Sequence, residues 1–258
     1  MFQSPSDIAF SVFGFPIYFY GIIMAFSIAV GCYTAYFLYK KFYGEADKIF
    51  DIVPFIIITG ILGARLYYCA VNYSYYIAHP FEIFNIRQGG LSIHGMIIVG
   101  IFSLYMFARI YKLSFLKLTD VFCCASALSQ SIGRWGNFFN SEAFGTPTDL
   151  PWKLFISPSH RPLGYINYAY FHPTFLYESI LDLLIFVILI LLFKKFSKKA
   201  GLISCSYLIL YSLVRIFVEY FRIDSVLNIG GFPIAQVMSF LLLFVGIIGI
   251  NLIVLRKS

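Results

Sequence analysis

The 258-residue chain is 60% hydrophobic and only 12% charged, with a mean hydropathy of +0.83, whereas soluble domains carry about a quarter charged residues. Its 19 Lys+Arg and 12 Asp+Glu are too few to cover a globular domain of this length, which excludes an ordinary soluble fold and makes lipid the expected solvent. The net charge of +7 would indicate nucleic acid only if basic residues clustered on one folded face among stacking aromatics.

A bilayer core about 30 Å thick needs roughly 20 apolar residues per helix. In chain order such runs occupy Ile17 to Tyr39, Ile52 to Val71, Ser92 to Ile110, Leu118 to Phe138, Thr174 to Phe193, Leu202 to Phe221, and Phe232 to Leu255. They do not alternate polar and apolar positions as barrel strands would: Ile56-Ile57-Ile58 and Leu181 to Phe193 are continuous. The expected fold is an all-α integral membrane protein of about seven transmembrane helices, one polytopic domain over residues 1–258. Between the fourth and fifth helices, residues 140–172 hold Pro147, Pro151, Pro158 and Pro162 among aromatics, which predicts a small extracytoplasmic cap.

Lys40, Lys41 and Lys48 follow the first span, Arg109, Lys112 and Lys117 the third, Lys194, Lys195, Lys198 and Lys199 the fifth, and Arg256 and Lys257 the last. By the positive-inside rule these ends face the cytoplasm, with the N-terminus outside and the C-terminus inside. The positive charge is thus topological, and no nucleic-acid partner is expected. Residues 1–7 contain no basic segment of the kind that opens a cleavable signal peptide, so the first span is expected to stay. Cys32, Cys69, Cys123, Cys124 and Cys205 all fall inside predicted helices without CxxC spacing and read as packing residues.

Arg65, Arg134 and Arg215 lie inside predicted spans, where a central arginine costs about 2.5–3.5 kcal/mol on insertion scales, so each must face a partner or a wet cavity. Arg87, Lys153, Arg161 and Arg222 complete the basic residues outside the topological set. Arg215, Glu219 and Arg222 are spaced i, i+4, i+7, one stripe of a helix with Tyr211 a turn earlier. Two guanidiniums sharing one carboxylate leave a net positive site suited to a phosphate, although a purely structural ion-pair network fits the same spacing. On helical spacing Gln130, Gly133, Arg134, Asn137, Asn140 and Ser141 share a face, with Glu142 at the membrane boundary. Close helix packing accounts for the glycines here but poorly for Arg134 and Glu142.

Ser92 is a plausible N-cap for the third span, which puts His94 in its first turn, and Pro173 suits the first turn of the fifth, near Tyr177 and Glu178. A lone histidine at a helix start is more often a hydrogen-bonding residue than a catalyst, and Tyr20 fits an aromatic belt equally well. His79, His94, His160 and His172 show no HxxxH or HExxH spacing, so neither a metal nor another cofactor is expected.

Three motifs in order, G-R-x-G-N-F-x-N-x-E-x-x-G at 133–145, H-P-x-x-L-Y-E at 172–178 and R-x-x-x-E-x-x-R at 215–222, resemble the bacterial prolipoprotein diacylglyceryl transferase family, with similarity from about Phe15 to Gln236. The resemblance implies transfer of the diacylglyceryl unit of phosphatidylglycerol to a lipobox cysteine thiol in a prolipoprotein. A thioether forms and glycerol phosphate leaves, at the outer leaflet of the bacterial cytoplasmic (inner) membrane. It implies that Arg134 and Arg215 hold the phosphate, that Glu142 and Glu219 orient those arginines or the substrate, and that His94 matches a histidine proposed as the thiol's base. Asn137, Gly145 and Tyr20 match positions needed for activity, with Asn140 and Arg222 counted in the lipid site. This chain has Met96 after His94-Gly95 where the family often has glycine, and Thr174-Phe175 where it often has Ser-Gln. A polar contact at Phe175 is therefore expected to be lost or supplied elsewhere. The competing reading is a transporter or channel for an anionic solute, with Arg134 and Arg215 lining its path.

Overall fold

The structure, a computed structural model, describes residues 2–86, 89–223, 228–229 and 232–255; Arg87, Arg256 and Lys257 lie outside the described residues. Among the described residues there are eight α-helices, α1 Phe19–Tyr43, α2 Lys48–Val71, α3 Tyr73–Ala78, α4 Ile93–Ile110, α5 Phe115–Phe139, α6 Thr174–Phe196, α7 Leu202–Glu219 and α8 Ile234–Leu255. Among the described residues six of them, α1, α2, α4, α6, α7 and α8, are long and apolar enough to cross a membrane. The architecture is that of an all-helical integral membrane protein. α5 occupies the predicted fourth run and has 25 residues, but Asp120, Gln130, Arg134 and Asn137 make it more polar than the other six.

Residues 36–118 form one compact unit, and residues 1–35 with 119–258 form another. In the first, α2 and α4 pack through small residues: a side chain on Gly63 would collide with Val99 and the Gly95 carbonyl, and one on Gly95 with Gly63 and Tyr67. In lipid, where apolar surface alone does not drive helices together, such backbone approach is what holds a pair. Arg65, expected to need a partner, is only 6% exposed. Its guanidinium donates to the carbonyls of Ile83 at 2.8 Å, Gly89 at 2.9 Å, Gly90 at 3.0 Å and Asn85 at 3.2 Å, as well as Glu82, and lies over the Tyr76 ring. It is thereby committed to holding the loop that follows the short α3. Ser92 is the N-cap residue of α4 as expected, with extended backbone, and its N–H donates to the Ala64 carbonyl at 3.0 Å.

In the second unit the chain begins with an antiparallel hairpin, β1 Ile8–Val12 with β2 Phe15–Tyr18, that the sequence pattern did not reveal. Phe13 and Gly14 turn it with φ of 50° and 82°. The first span therefore starts at Phe19 rather than Ile17. The hairpin pattern was masked because apolar residues continue through its turn and second strand into the span: Phe10, Val12, Phe13 and Phe15 are all exposed. Pro173 is the N-cap residue of α6 and precedes the first turn instead of lying in it. α7 ends at Glu219, so Arg222 lies beyond the helix and not on its stripe. α8 packs on α7 through Gly246, close to Ile209 and the Cys205 carbonyl, while Phe240, Leu241, Phe244 and Val245 stay exposed. A face of this kind is stable in hydrocarbon.

Buried Asp120 on α5 caps the start of α7. Its carboxylate accepts the N–H groups of Gly201 and Ser204, both at 2.7 Å, and the Ser204 hydroxyl at 2.6 Å. A negative charge at a helix N-terminus satisfies orphan donors and opposes the positive end of the dipole. Residues 140–172 contain β3 Leu154–Phe155, paired antiparallel with β4 Tyr170–Phe171. Beneath them lies a core of Phe138, Phe144, Leu154, Ile156, Phe171 and Phe175. Phe175 is fully buried and its ring centroid is 5.1 Å from that of Phe138 and 5.7 Å from that of Trp135, so at this position an aromatic cluster replaces a polar contact.

Because Arg65 works through a planar fork that lysine lacks, Arg65→Lys is expected to speed proteolytic cutting within residues 79–90 several-fold. Limited proteolysis of the purified protein tests this; wild-type cutting rates would rule out the clamp.

Candidate active site

Three segments meet at one buried carboxylate. Glu178, one turn into α6, is 2% exposed. Its Oε2 lies 2.6 Å from Arg134 Nε of α5, and its Oε1 lies 2.6 Å from Arg215 Nη1 of α7 and 3.4 Å from Arg222 Nη1 beyond α7. Arg215 Nη2 also pairs with Glu219 Oε2 at 2.6 Å. Asp182, a turn further along α6 and 1% exposed, lies 3.9 Å from Arg134 Nε. Among the described residues the cluster thus holds three guanidiniums and three carboxylates. Paired charges are the form in which such groups tolerate burial, since an isolated ion in a low-dielectric setting costs several kcal/mol.

Arg222 reaches this cluster through the backbone. Gly145 forms an antiparallel bridge with Arg222, and the Thr146 N–H donates to the Phe221 carbonyl at 2.7 Å. A Cβ on Gly145 would stand 2.7 Å from that carbonyl, 2.8 Å from Thr174 Cγ2 and 3.0 Å from His172 Cβ. Glycine is therefore required for close approach.

The polar face at the end of α5 makes a second cluster. Glu142 Oε1 accepts from Asn137 Nδ2 at 2.9 Å and from Asn140 Nδ2 at 3.3 Å. Ser141 and Ala143 hold positive φ of 53° and 54° as the chain leaves the helix, which turns Glu142 back toward it. Glu142, Asn140 and Tyr20 line an open cleft of about 510 Å³ with Asp7, Tyr18 and His160. Tyr20 also lies against Gly136, where a Cβ would sit 2.9 Å from the ring. A second, apolar cleft of about 370 Å³ is lined by Trp152, Tyr177, Ile180, Leu181, Phe217 and Phe221, among others. Tyr177 and Phe221 precede Glu178 and Arg222 directly, so the apolar cleft adjoins the ion cluster. The Tyr177 hydroxyl accepts from Trp152 Nε1 at 2.8 Å and lies 3.1 Å from His172 Nδ1. Burial holds the His172 imidazole below its ordinary pKa, which favours the neutral ring in this contact.

Residues 7–252 match the sequence model of the family described as prolipoprotein diacylglyceryl transferase. The chain belongs to that family. Similar proteins include the phosphatidylglycerol--prolipoprotein diacylglyceryl transferases of Synechocystis sp., 46% identical over 254 residues covering 96% of this chain and 89% of that protein. That of Acaryochloris marina is 44% identical over 260 residues, covering 100% of this chain and 94% of its own. That of Thermotoga maritima is 41% identical over 251 residues, covering 96% and 84%. The chain is a multi-pass membrane protein of this family.

Within this family member, the structure brings Arg134, Arg215, Glu219 and Arg222 together, and separately Asn137, Asn140 and Glu142. The sequence spacing paired Arg134 with Glu142 and made Glu219 the shared carboxylate. Arg134 turns instead to Glu178 and Asp182, and Glu178 is a carboxylate shared by all three arginines. The signal for Glu178 was present in the H-P-x-x-L-Y-E motif, but which face of α6 it occupied depends on packing. Asp182 lay hidden in an otherwise apolar run. His94 belongs to the other unit, half-buried in the first turn of α4 with its ring 6.1 Å from that of Tyr67.

Removing the shared charge is expected to be costly. Glu178→Gln should lower unfolding stability by about 3–5 kcal/mol, the usual cost of stranding a buried partner, read as a lower thermal midpoint in detergent. An unchanged midpoint would show that the arginines do not depend on Glu178.

Proposed function

We propose that this chain transfers the diacylglyceryl group of phosphatidylglycerol to the lipobox cysteine thiol of a prolipoprotein, forming a thioether and releasing glycerol phosphate. The observation that carries the reading is the sharing of Glu178 by Arg134 and Arg215, which presents two guanidiniums side by side. In the reaction the thiolate sulfur attacks the glycerol carbon that bears the phosphate, the C–O bond breaks, and negative charge grows on the departing phosphate. Fixed cations at that oxygen stabilise the transition state more than the ground state. Arg134 and Arg215 take this role, with Arg222, Glu219, Asn140 and Gly145 shaping the lipid site. The adjoining apolar cleft offers room for acyl-chain carbons.

Glu142, Asn137 and Tyr20 belong to the polar end of the same site, and His94 is the candidate base for the thiol. A cysteine of pKa about 8.5 needs only modest help to ionise near cations. α5 serves as the seventh crossing, giving an external N-terminus and a cytoplasmic C-terminus. Lys40 and Lys41 at the end of α1, Arg109 at the end of α4, and Lys194 and Lys195 near the end of α6 support that orientation. The motif residues at the opposite ends of α5, α6 and α7 then open to the outer leaflet of the bacterial cytoplasmic membrane, beneath an extracytoplasmic cap formed by residues 140–172. The partners are phosphatidylglycerol, lipobox peptides and the bilayer. The transporter reading has no support in the relatives' names, all of which are transferases.

Purified protein incubated with phosphatidylglycerol and a lipobox peptide should yield a peptide heavier by one diacylglyceryl group; solute flux without covalent product would favour transport instead. Arg134→Lys and Arg215→Lys should each reduce turnover at least tenfold, about 1.4 kcal/mol of transition-state stabilisation, while still inserting into membranes. His94→Asn should reduce turnover and remove one limb of the pH–rate profile. Retained turnover with only a slightly moved optimum would eliminate the base role.

A further inference from the structure

The ion cluster contains one carboxylate for which the phosphate clamp gives no role. Asp182 lies one helical turn beyond Glu178 on α6, is 1% exposed, and touches Arg134 Nε only at 3.9 Å. Glu178 and Glu219, in contrast, each have a guanidinium nitrogen at 2.6 Å. Of the three acids, Asp182 has the weakest stabilisation of its charged form. The titratable and charged groups facing it are Arg134 from α5, Glu178 on its own helix, and Tyr207, Tyr211 and Arg215 from α7. The two phenols carry no charge near neutral pH, so the neighbours that change its environment are the arginines, Glu178, and whatever anion arrives.

With all groups ionised, the three guanidiniums and three carboxylates described here balance. A phosphodiester entering among them adds one negative charge to a largely water-poor site, where uncompensated charge is expensive. Displacing Glu178 would not restore the balance and would strand a second buried anion. Protonating the least stabilised acid would.

Resting on the proposed lipid transfer, we infer that Asp182 is the charge-compensating residue of this site: it takes up one proton from solvent as the donor phosphate settles against Arg134. The proton returns to solvent when glycerol phosphate departs. No bond of the substrate changes in this step, and the proton is the only species exchanged. Asp182 acts through Arg134, without touching the lipid.

The sign of the pH dependence follows. At low pH Asp182 is already protonated and lipid binds without proton uptake. At high pH one proton must be captured for each lipid bound, and affinity falls toward tenfold per pH unit. Calorimetric titration of the full-length protein in detergent with dihexanoylphosphatidylglycerol and no peptide measures this directly. Runs between pH 5.5 and 9 in buffers of different ionisation enthalpy give the proton count. Wild type should rise from near zero to about one proton per lipid, and Asp182→Glu, which keeps an ionisable group, should do the same. Asp182→Asn should take up none, bind with nearly pH-independent affinity, and bind more tightly than wild type at the alkaline end. Wild-type binding without proton uptake, or equal uptake by Asp182→Asn, would overturn the assignment. Should Asp182→Asn not fold, absence of uptake in wild type and Asp182→Glu decides against it. Transfer to a lipobox peptide is assayed in parallel: its absence from wild type overturns the proposed function, whereas transfer with proton-independent binding overturns only the role of Asp182.

Discussion

A single carboxylate inside a helical bundle holds three guanidiniums from three segments, and neither side tolerates burial without the other. Glu178 ties α5 to α7 through Arg134 and Arg215, and draws in the backbone beyond α7 through Arg222. Several features far from it in sequence serve that junction. Asp120 fixes the start of α7, the helix that carries Arg215 and Glu219. Gly145 allows the backbone bridge that delivers Arg222. Phe175, three residues before Glu178, anchors the first turn of α6 in an aromatic core.

The arginines divide by the kind of oxygen they meet. Arg65 donates to five backbone carbonyls, and Arg161 to those of Ile156 and Ile166. These guanidiniums act as clasps for loops. Arg134 and Arg215 meet carboxylates instead. Among the described residues both ion pairs of Arg134 run through Nε, and a guanidinium has four further N–H donors on its Nη atoms. An arginine held by an acid on one edge is placed to present the other to a phosphate. Insertion cost alone could not separate these uses, because all three intramembrane arginines looked equally anomalous in sequence.

Much of the helical framework was legible because a bilayer imposes a length and a polarity on every crossing. The runs at Ile52 to Val71, Ser92 to Ile110 and Thr174 to Phe193 correspond closely to α2, α4 and α6. The N-terminal hairpin was not legible, since exposed apolar residues running through its turn into α1 imitate the start of a span. The stripe drawn through Arg215, Glu219 and Arg222 assumed a helix that stops at Glu219. Hydrophobic pattern locates a helix end only to within a few residues.

The sequence by itself determined the solvent, the family and the identity of the polar residues, because lipid permits so few charges that each one present is conspicuous. The tertiary structure decided their partners. Which carboxylate Arg134 meets depends on the rotation of α5 and α6 about their axes and on how closely they pack, and this placed Glu178 at the centre, brought Asp182 beside it and sent Glu142 to Asn137 and Asn140. Spacing along one helix fixes neighbours on that helix alone; distances across helices arise only when the side chains between them have been packed.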